Sequence, residues 1–426
     1  MEPNFQERYF KRNFASGVIN GIFFNLALAF ISGSTILPLF VSQLTGSDVL
    51  IGLSSTLETI GWLSPQLFVA GMTLYQKKQL PLYIKTAYFR VLAFLGLVLS
   101  VFFLGAKNPS LLLVLFFFFF TVYSLGGGFS GVAFMDIVGK TIPFNKRGSF
   151  FGMRMFFGGT LAALAGILVK QILENHQFPN NFGIIFSLAF CSILLGISSL
   201  LAVKEPPLTE TKSRKSLKEN LLQGIEIFKQ HREFRLLYFV QIVIGAYVLG
   251  LPFYVIYAER LLKIPPELVG IFLTSQMIGF VLSNLFWGYL SNRGKNREIL
   301  LITAIISSFP PLILFAYHFF MLPIFLYSSI FFFLGAINSG LNIGYMNYLL
   351  EIAPEPERPI YVGLLHTLTA PTIFLSAVGG IIIQVSSFTF LYILVLLISL
   401  GAIYISSKLR DKSLSSQERV RSYKRS

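Results

Sequence analysis

Apolar residues run along almost the whole chain in stretches of about twenty, separated by short polar breaks. A stretch of that length crosses a hydrocarbon core about 30 Å thick as a helix rising 1.5 Å per residue. The pattern predicts twelve spans, over residues 15–40, 49–73, 86–106, 111–138, 148–172, 183–203, 235–258, 267–290, 299–318, 324–350, 360–383 and 387–407. Only the connection from Lys204 to Glu233 is long. The expected organisation is therefore a six-span half at 1–203, a linker at 204–234, a second six-span half at 235–407 and a basic tail at 408–426. Within the linker, Ser216 and Glu219 form a capping box, and Leu217, Leu221, Ile225 and Phe228 fall on one helical face beside lysines. That pattern predicts an amphipathic helix on the membrane surface.

Composition agrees with the pattern. The chain is 54% hydrophobic and 12% charged, with a mean hydropathy of +0.70, which marks an integral membrane protein. An even number of spans puts both termini on one side. With that side cytoplasmic, 30 of the 34 Lys and Arg lie on inner loops, tails or inner helix ends, leaving Lys107, Lys170, Arg260 and Lys263 outside. The positive-inside rule then predicts a multi-pass protein of the cell inner membrane with cytoplasmic termini. An anionic inner leaflet accounts for the net charge of +15 without nucleic acid.

Several chemistries are unsupported. Cys191 is the single cysteine, and His176, His231, His318 and His366 never fall at metal-ligand spacing. "VGKT" at Val138 to Thr141 echoes a phosphate-binding loop, but Phe134 stands where its first glycine belongs. No hydrolytic triad stands out inside the spans. The reading is a non-enzyme without cofactor or metal. The N-terminal stretch mixes charges of both signs and shows no cleavage site, so a removable signal peptide is not expected.

The two halves resemble each other. Sliding the second half back by 218 residues brings Gly270 onto Gly52, Gly279 onto Gly61, Asn284 onto Gln66 and Gln276 onto Glu58. At a shift of 211, Met346, Pro354, Arg358 and Gly363 fall on Met135, Pro143, Arg147 and Gly152. Generic similarity of apolar helices explains a shared Leu or Phe, but not a shared Pro-x-x-x-Arg-x-x-x-x-Gly. Two repeated six-helix halves are how many transporters are built, with the solute site near the midplane.

The turn after the eighth span, "GYLSNRGKNR", resembles the signature turn of the major facilitator superfamily in Gly288, Leu290, Ser291, Arg293 and Arg297. Asn292, Lys295 and Asn296 depart from it, and the equivalent first-half turn from Gly71 keeps only a glycine, a leucine and its basic character. The resemblance implies an all-α membrane fold of twelve helices in two pseudo-symmetric bundles. It also implies a cavity lined by spans one, four, seven and ten, and a sliding interface made by spans two, five, eight and eleven. Arg147, Arg293, Arg297 and Arg358, with Gly288, are then gate candidates on short basic turns whose guanidiniums pair with helix-end carbonyls or acids.

Ionisable groups inside spans are expensive unless paired or wet, so each is a candidate. Asp136 and Arg154 sit one and two turns from the inner ends of spans four and five. An ion pair across that hairpin is expected as a clasp, with docking of an anionic solute group by Arg154 as the sharper alternative. Glu58 has no basic residue at its depth, so its carboxyl suits reversible protonation. The bland alternative is a protonated, hydrogen-bonding helix glue, as Gln276 would be. His366 is a further candidate on a proton path. Asn25, Tyr247, Asn338 and Asn342 offer neutral donors and acceptors at mid-depth, although ordinary helix packing accounts for any one of them equally well. The expected function is proton-coupled transport of a small solute by a monomer in the lipid bilayer. The alternatives are a non-transporting receptor or sensor of the same architecture, or a lipid translocator.

Overall fold

The computed structural model describes residues 5–63, 78–206, 226–320, 322–354 and 357–410. All regular structure in them is helical: α1 (Phe5–Phe30), α2 (Ile36–Ser42), α3 (Asp48–Leu63), α4 (Leu80–Leu104), α5 (Pro109–Thr141), α6 (Arg147–Asn175), α7 (Asn180–Leu200), α8 (Arg232–Gly245), α9 (Phe253–Arg260), α10 (Val269–Ser291), α11 (Asn296–Ser307), α12 (Phe309–Phe320), α13 (Ile324–Ile352), α14 (Arg358–Thr369), α15 (Leu375–Val385) and α16 (Phe388–Ser407). Eleven spans among the described residues are long and apolar enough to cross a membrane. The predicted second span begins as α3, and its continuation lies outside the described residues. So does most of the proposed amphipathic linker helix.

Four predicted spans are not single helices. The first starts ten residues earlier than expected and breaks between Phe30 and Ile36, where the run Ser32, Gly33, Ser34 leaves the helical path. Ser32 and Ser34 share a hydrogen bond at 2.9 Å across the break. A Cβ on Gly33 would sit 2.8 Å from the Ser55 carbonyl oxygen of α3, so only glycine lets the backbones approach. The seventh passes from α8 through a tight turn at Ala246–Leu249 into α9, behind Pro252, which also lacks the amide hydrogen a continuous helix needs. The ninth divides at Ser308 before Pro310 and Pro311, and the eleventh divides at Ala370–Phe374 around Pro371. Hydropathy counts apolar side chains and is blind to these interruptions.

By their contacts the residues form two units, Met1–Ser213 with Pro252–Met277 and Ser376–Gln384, and Arg214–Leu251 with Ile278–Leu375 and Val385–Ser426. In the first, Phe40 of α2 lies at the centre of an aromatic cluster, 5.1 to 5.4 Å from the rings of Phe116, Phe182 and Phe186. The five-phenylalanine run of α5 divides by helical spacing: Phe116 and Phe120 are fully buried, while Phe118 is 58% exposed, toward the lipid in a membrane. In the second, the Trp287 indole of α10 donates to the Ala336 carbonyl of α13 at 3.2 Å.

The repeated glycines do the same work in each unit. A Cβ on Gly61 would strike the Ser124 Cβ of α5 at 2.2 Å, and one on Gly279 would strike the Phe332 carbonyl of α13 at 2.1 Å. Small residues let helix backbones come this close, and close packing is what binds helices where lipid competes for apolar contact.

Polar anchors tie each unit's last span back to its first helix. Asn13 of α1 exchanges two hydrogen bonds with the Lys204 backbone, at 2.9 and 3.0 Å. In the second unit Glu233 of α8 accepts from the Tyr348 hydroxyl at 3.2 Å and from the Arg410 amide at 3.3 Å. The strongest anchor is Glu205. Its buried carboxylate takes the Gln79 amide at 2.8 Å and the Leu80 amide at 2.7 Å, capping the open N-terminus of α4, and it receives the Lys140 ammonium at 3.0 Å. A carboxylate at a helix N-terminus meets both unpaired amides and the positive end of the dipole. Glu205→Ala takes the acceptor from the Gln79 and Leu80 amides and leaves Lys140 with Asp136 in place of two acids, so it is expected to destabilise the protein by about 3 kcal/mol. Glu205→Asp retains part of that stability. Thermal unfolding in detergent measures the order, and an alanine variant as stable as wild type refutes the anchor.

Candidate functional site

Part of the face that α1 turns to α6 is glycine. Glycines at 17 and 21, one turn apart, let Phe150 and Arg154 lie against the backbone of α1, and a Cβ at either position would fall 2.5 Å from those side chains. Arg154 is thereby drawn into the bundle, 8% exposed. Its Nη1 donates to the Gly17 carbonyl and to Asn20 Oδ1, the latter at 3.2 Å, and its guanidinium lies over the Phe134 ring, 4.5 Å from the centroid. Asn20 in turn donates to the Gly196 carbonyl at 2.8 Å and to the Tyr83 hydroxyl at 3.4 Å.

This arrangement corrects one expectation. Arg154 does not pair with Asp136. The aspartate pairs instead with Lys140, one turn along the same helix, and Lys140 also reaches Glu205. The reason is orientation. Asp136 is near enough in sequence to cross the hairpin, but residues four apart on one helix already face each other. Arg154 points into the bundle instead.

Around Arg154 lies a cavity of about 200 Å³, walled by α1 (Asn20, Phe24), α4 (Tyr83, Arg90), α5 (Ser130, Gly131, Phe134, Met135) and α6 (Arg154). Met135, 58% exposed, stands at its rim. Arg90 went unremarked in the sequence because it falls near the basic end of its span, where positive charge is expected in any case. It is only 6% exposed. The available signal was its place on one face with Tyr83, Ala87, Phe94 and Leu97, all buried.

The other candidates are placed as follows. Asn25 folds back on its own helix, donating to the Gly21 carbonyl at 2.8 Å, and packs on Gly158. Gln276 is buried and accepts from the Ser34 hydroxyl at 2.7 Å. Glu58 lies on α3, with its side chain outside the described residues. Arg147 donates to the Gly139 and Ile142 carbonyls at 2.8 and 3.1 Å, closing the end of α5. In the second unit Tyr247 is half-buried in the turn after α8. Asn342 donates to Asn338 at 3.0 Å on an exposed face of α13, and His366 is exposed on α14. Arg358 opens α14. In the signature turn a Cβ on Gly288 would meet nothing within 4 Å, Gly294 adopts φ +70°, Arg293 stacks 4.1 Å from the Tyr289 ring centre, and Arg297 donates to the Leu409 and Ser407 carbonyls at 2.7 and 3.0 Å.

At the end away from Lys140 and Arg147 the first unit is tightly closed. Gly166 of α6 and Gly270 of α10 meet backbone to backbone, a Cβ on Gly270 falling 2.3 Å from the Gly166 carbonyl, and Thr274 donates to the Ala163 carbonyl at 2.9 Å. Gly52 of α3 meets the Ser376 carbonyl of α15, and Gly380 meets that of Asp48. Arg260 joins Asp48 at 2.7 Å, and Glu259 accepts from Gln43 at 2.8 Å and from Ser42 at 3.2 Å.

These contacts join span two with eleven and span five with eight, all four of them spans that the sequence resemblance assigns to a sliding interface. Residues 251–424 match the family model described as Major Facilitator Superfamily. The chain has the major facilitator fold. No curated protein matches the sequence. A solved D-xylose-proton symporter is 14% identical with a TM-score of 0.73, over 95% of this chain and 98% of its own. The xylose transporter XylE from E. coli, in a partially occluded inward open conformation, is 14% identical with a TM-score of 0.69, over 94% and 99%. The nucleoside transporter NupG is 12% identical with a TM-score of 0.69, over 93% and 99%. At such identities the likeness is one of fold; the eleven apolar spans and the family match make this an integral, multi-pass membrane protein.

The glycine contact is open to test. Gly270→Leu drives a side chain into the α6 backbone, and overpacking of this kind costs about 1–3 kcal/mol. The expected outcome is a lower unfolding temperature and faster thiol labelling of a Thr274→Cys reporter, in a background without Cys191. Unchanged labelling means the two helices do not meet there.

Proposed function

We propose that the protein is a secondary transporter, which carries a small polar solute across the bilayer by alternating access and is energised by protons through Glu58. The observation that carries this reading is the pairing, in one unit, of a cavity that holds two arginines and is walled by four membrane helices with a closure at the opposite helix ends. That closure consists of glycine contacts and surface-edge ion pairs, which separate without uncovering an apolar core. A site reached from one side and sealed on the other is the geometry alternating access requires. Solved relatives in fold that carry sugars and nucleosides support the reading.

The basic ends, with Lys140, Arg147, Arg293 and Arg297, are taken as cytoplasmic, because positive charge accumulates on that side. The Asp48 and Arg260 latch then faces outward and breaks when the cavity opens outward. Glu58 enters through the repeat. Its mate Gln276 accepts a hydrogen bond at 2.7 Å inside the bundle, so the position calls for a polar partner, and only the first half supplies one that titrates.

Two outcomes test the reading in proteoliposomes loaded with panels of sugars, nucleosides and carboxylates. Joining Asp48→Cys to Arg260→Cys with a short bismaleimide, in a Cys191→Ala background, is expected to abolish flux, while each single variant retains it. Flux through the crosslinked protein excludes rocking at this latch. Glu58→Gln is expected to lower proton-driven accumulation about tenfold or more while leaving counterflow of solute intact. Undiminished accumulation by that variant assigns coupling elsewhere.

A further inference from the structure

One buried charged group in the first unit lacks a hydrogen-bond partner among the described residues. The Arg90 guanidinium, on a side chain 6% exposed, lies 4.6 Å from the Tyr123 ring centre, and its Nε is buried without an acceptor. A cation held out of water costs several kcal/mol unless paired, and the face of an aromatic ring returns only about 1–2 kcal/mol. The carbon stem of Arg90 packs against Gly126, where a Cβ would fall 2.6 Å from its Cγ.

Arg90 lines the same cavity as Arg154, and no carboxylate is among the lining residues. Arg154 engages only Nη1 in hydrogen bonds. The neighbouring acids are held elsewhere, Asp136 by Lys140 and Glu205 by Lys140 and the start of α4. Tyr83 lies within electrostatic reach of both guanidiniums and receives its hydrogen bond from Asn20, leaving its own proton to donate. Two buried positive charges lining one partly open volume, with the Tyr83 hydroxyl on the same wall, form a site short of an anion. A guanidinium offers paired N–H donors that match the two oxygens of a carboxylate or phosphate. At about 30 Å³ for each water displaced, the volume takes a group of a few heavy atoms, with the rest of a larger molecule extending past Met135.

We propose that this cavity binds an anionic group, a carboxylate or phosphate held between Arg90 and Arg154 with Tyr83 as the neutral donor, and that the transported solute carries that group. The second clause rests on the transport reading; the first does not. The same chemistry is found in a soluble acid and in a lipid headgroup, so the experiment separates them.

The full-length protein is placed in nanodiscs of phosphatidylcholine, and its thermal unfolding is followed at constant ionic strength in three arms: inorganic phosphate, succinate, and phosphatidylglycerol added to the bilayer. A saturable rise in unfolding temperature in the first or second arm identifies a soluble anion. A rise in the third alone identifies a headgroup. Affinity is expected to fall about tenfold or more in Arg90→Gln and by less in Arg90→Lys, which retains charge but not the fork. Absence of stabilisation in all three arms overturns the proposal, and so does an Arg90→Gln protein that binds as wild type. If the glutamine variant does not fold, Arg90→Lys decides, undiminished affinity counting against the site. A protein that moves solute in proteoliposomes yet binds none of the three probes keeps transport and loses the anion site. One that binds them and moves no panel solute keeps the site and loses transport.

Discussion

Hydrocarbon accepts no hydrogen bonds, and that single deficiency orders the interior of this protein. Every donor taken below the surface must meet an acceptor supplied by the chain or by something the chain binds. Glu205 shows the rule satisfied: one carboxylate answers a lysine and two backbone amides that would otherwise be stranded at the head of α4. Arg154 shows it satisfied in part, with the Gly17 carbonyl and Asn20 taking one nitrogen and aromatic faces lying over the rest. Arg90 shows it unsatisfied inside the chain. Neutral groups such as the Thr35 and Ser124 hydroxyls are also buried without a partner among the described residues, but Arg90 carries a full charge, and it lies where a cavity opens. A site that must release what it binds has to carry an open valence when empty.

The second constraint is distance between backbones. Because lipid tails are as apolar as leucine, helices here gain little from burying leucine against leucine, and they associate where glycine lets carbonyls and Cα atoms touch. The repeat lines up these points. Gly61 and Gly279 pack on spans four and ten of their own units, while Gly52 and Gly270 sit at the closed end of the first unit. The first pair holds a span to its bundle, and the second meets helices from the other half of the sequence. Contacts of bare backbone, with few interlocked side chains, have little to unpack when they part. Such an interface suits two discrete arrangements better than a leucine-packed core does.

Much of this was legible in the chain. The apolar runs located the spans: each of the eleven long helices among the described residues overlaps one of them, although the first begins and ends well before its run. The shared Pro-x-x-x-Arg pattern pointed to the two turns where Arg147 and Arg358 begin their helices. What stayed hidden was direction. A hydropathy window sees Asp136 and Arg154 at compatible depths and pairs them, but the Cβ vectors and the glycines at 17 and 21 send Arg154 toward α1 and leave Asp136 to Lys140. Charge counting likewise places Arg90 with the cytoplasmic basic residues, since an arginine two or three turns into a helix can reach either the headgroups or the core. Gly126 opposite its stem decides which, and that contact between α4 and α5 exists only in three dimensions.

Symmetry then separates scaffold from chemistry. Under the 211-residue shift that aligns the paired turns, Arg154 falls on Leu365, which is 1% exposed, and Arg90 falls on Leu301; the 218-residue shift puts Arg90 on Ser308. The packing glycines and the turn arginines recur in both halves, but the two buried guanidiniums do not. A role in holding helices together would be needed equally in each half, and a repeat that preserved its glycines had the means to preserve it. A role toward a solute is needed once, because one molecule occupies one site. The departure from symmetry at Arg90 and Arg154, together with the missing carboxylate beside them, argues that their partner is not part of the chain.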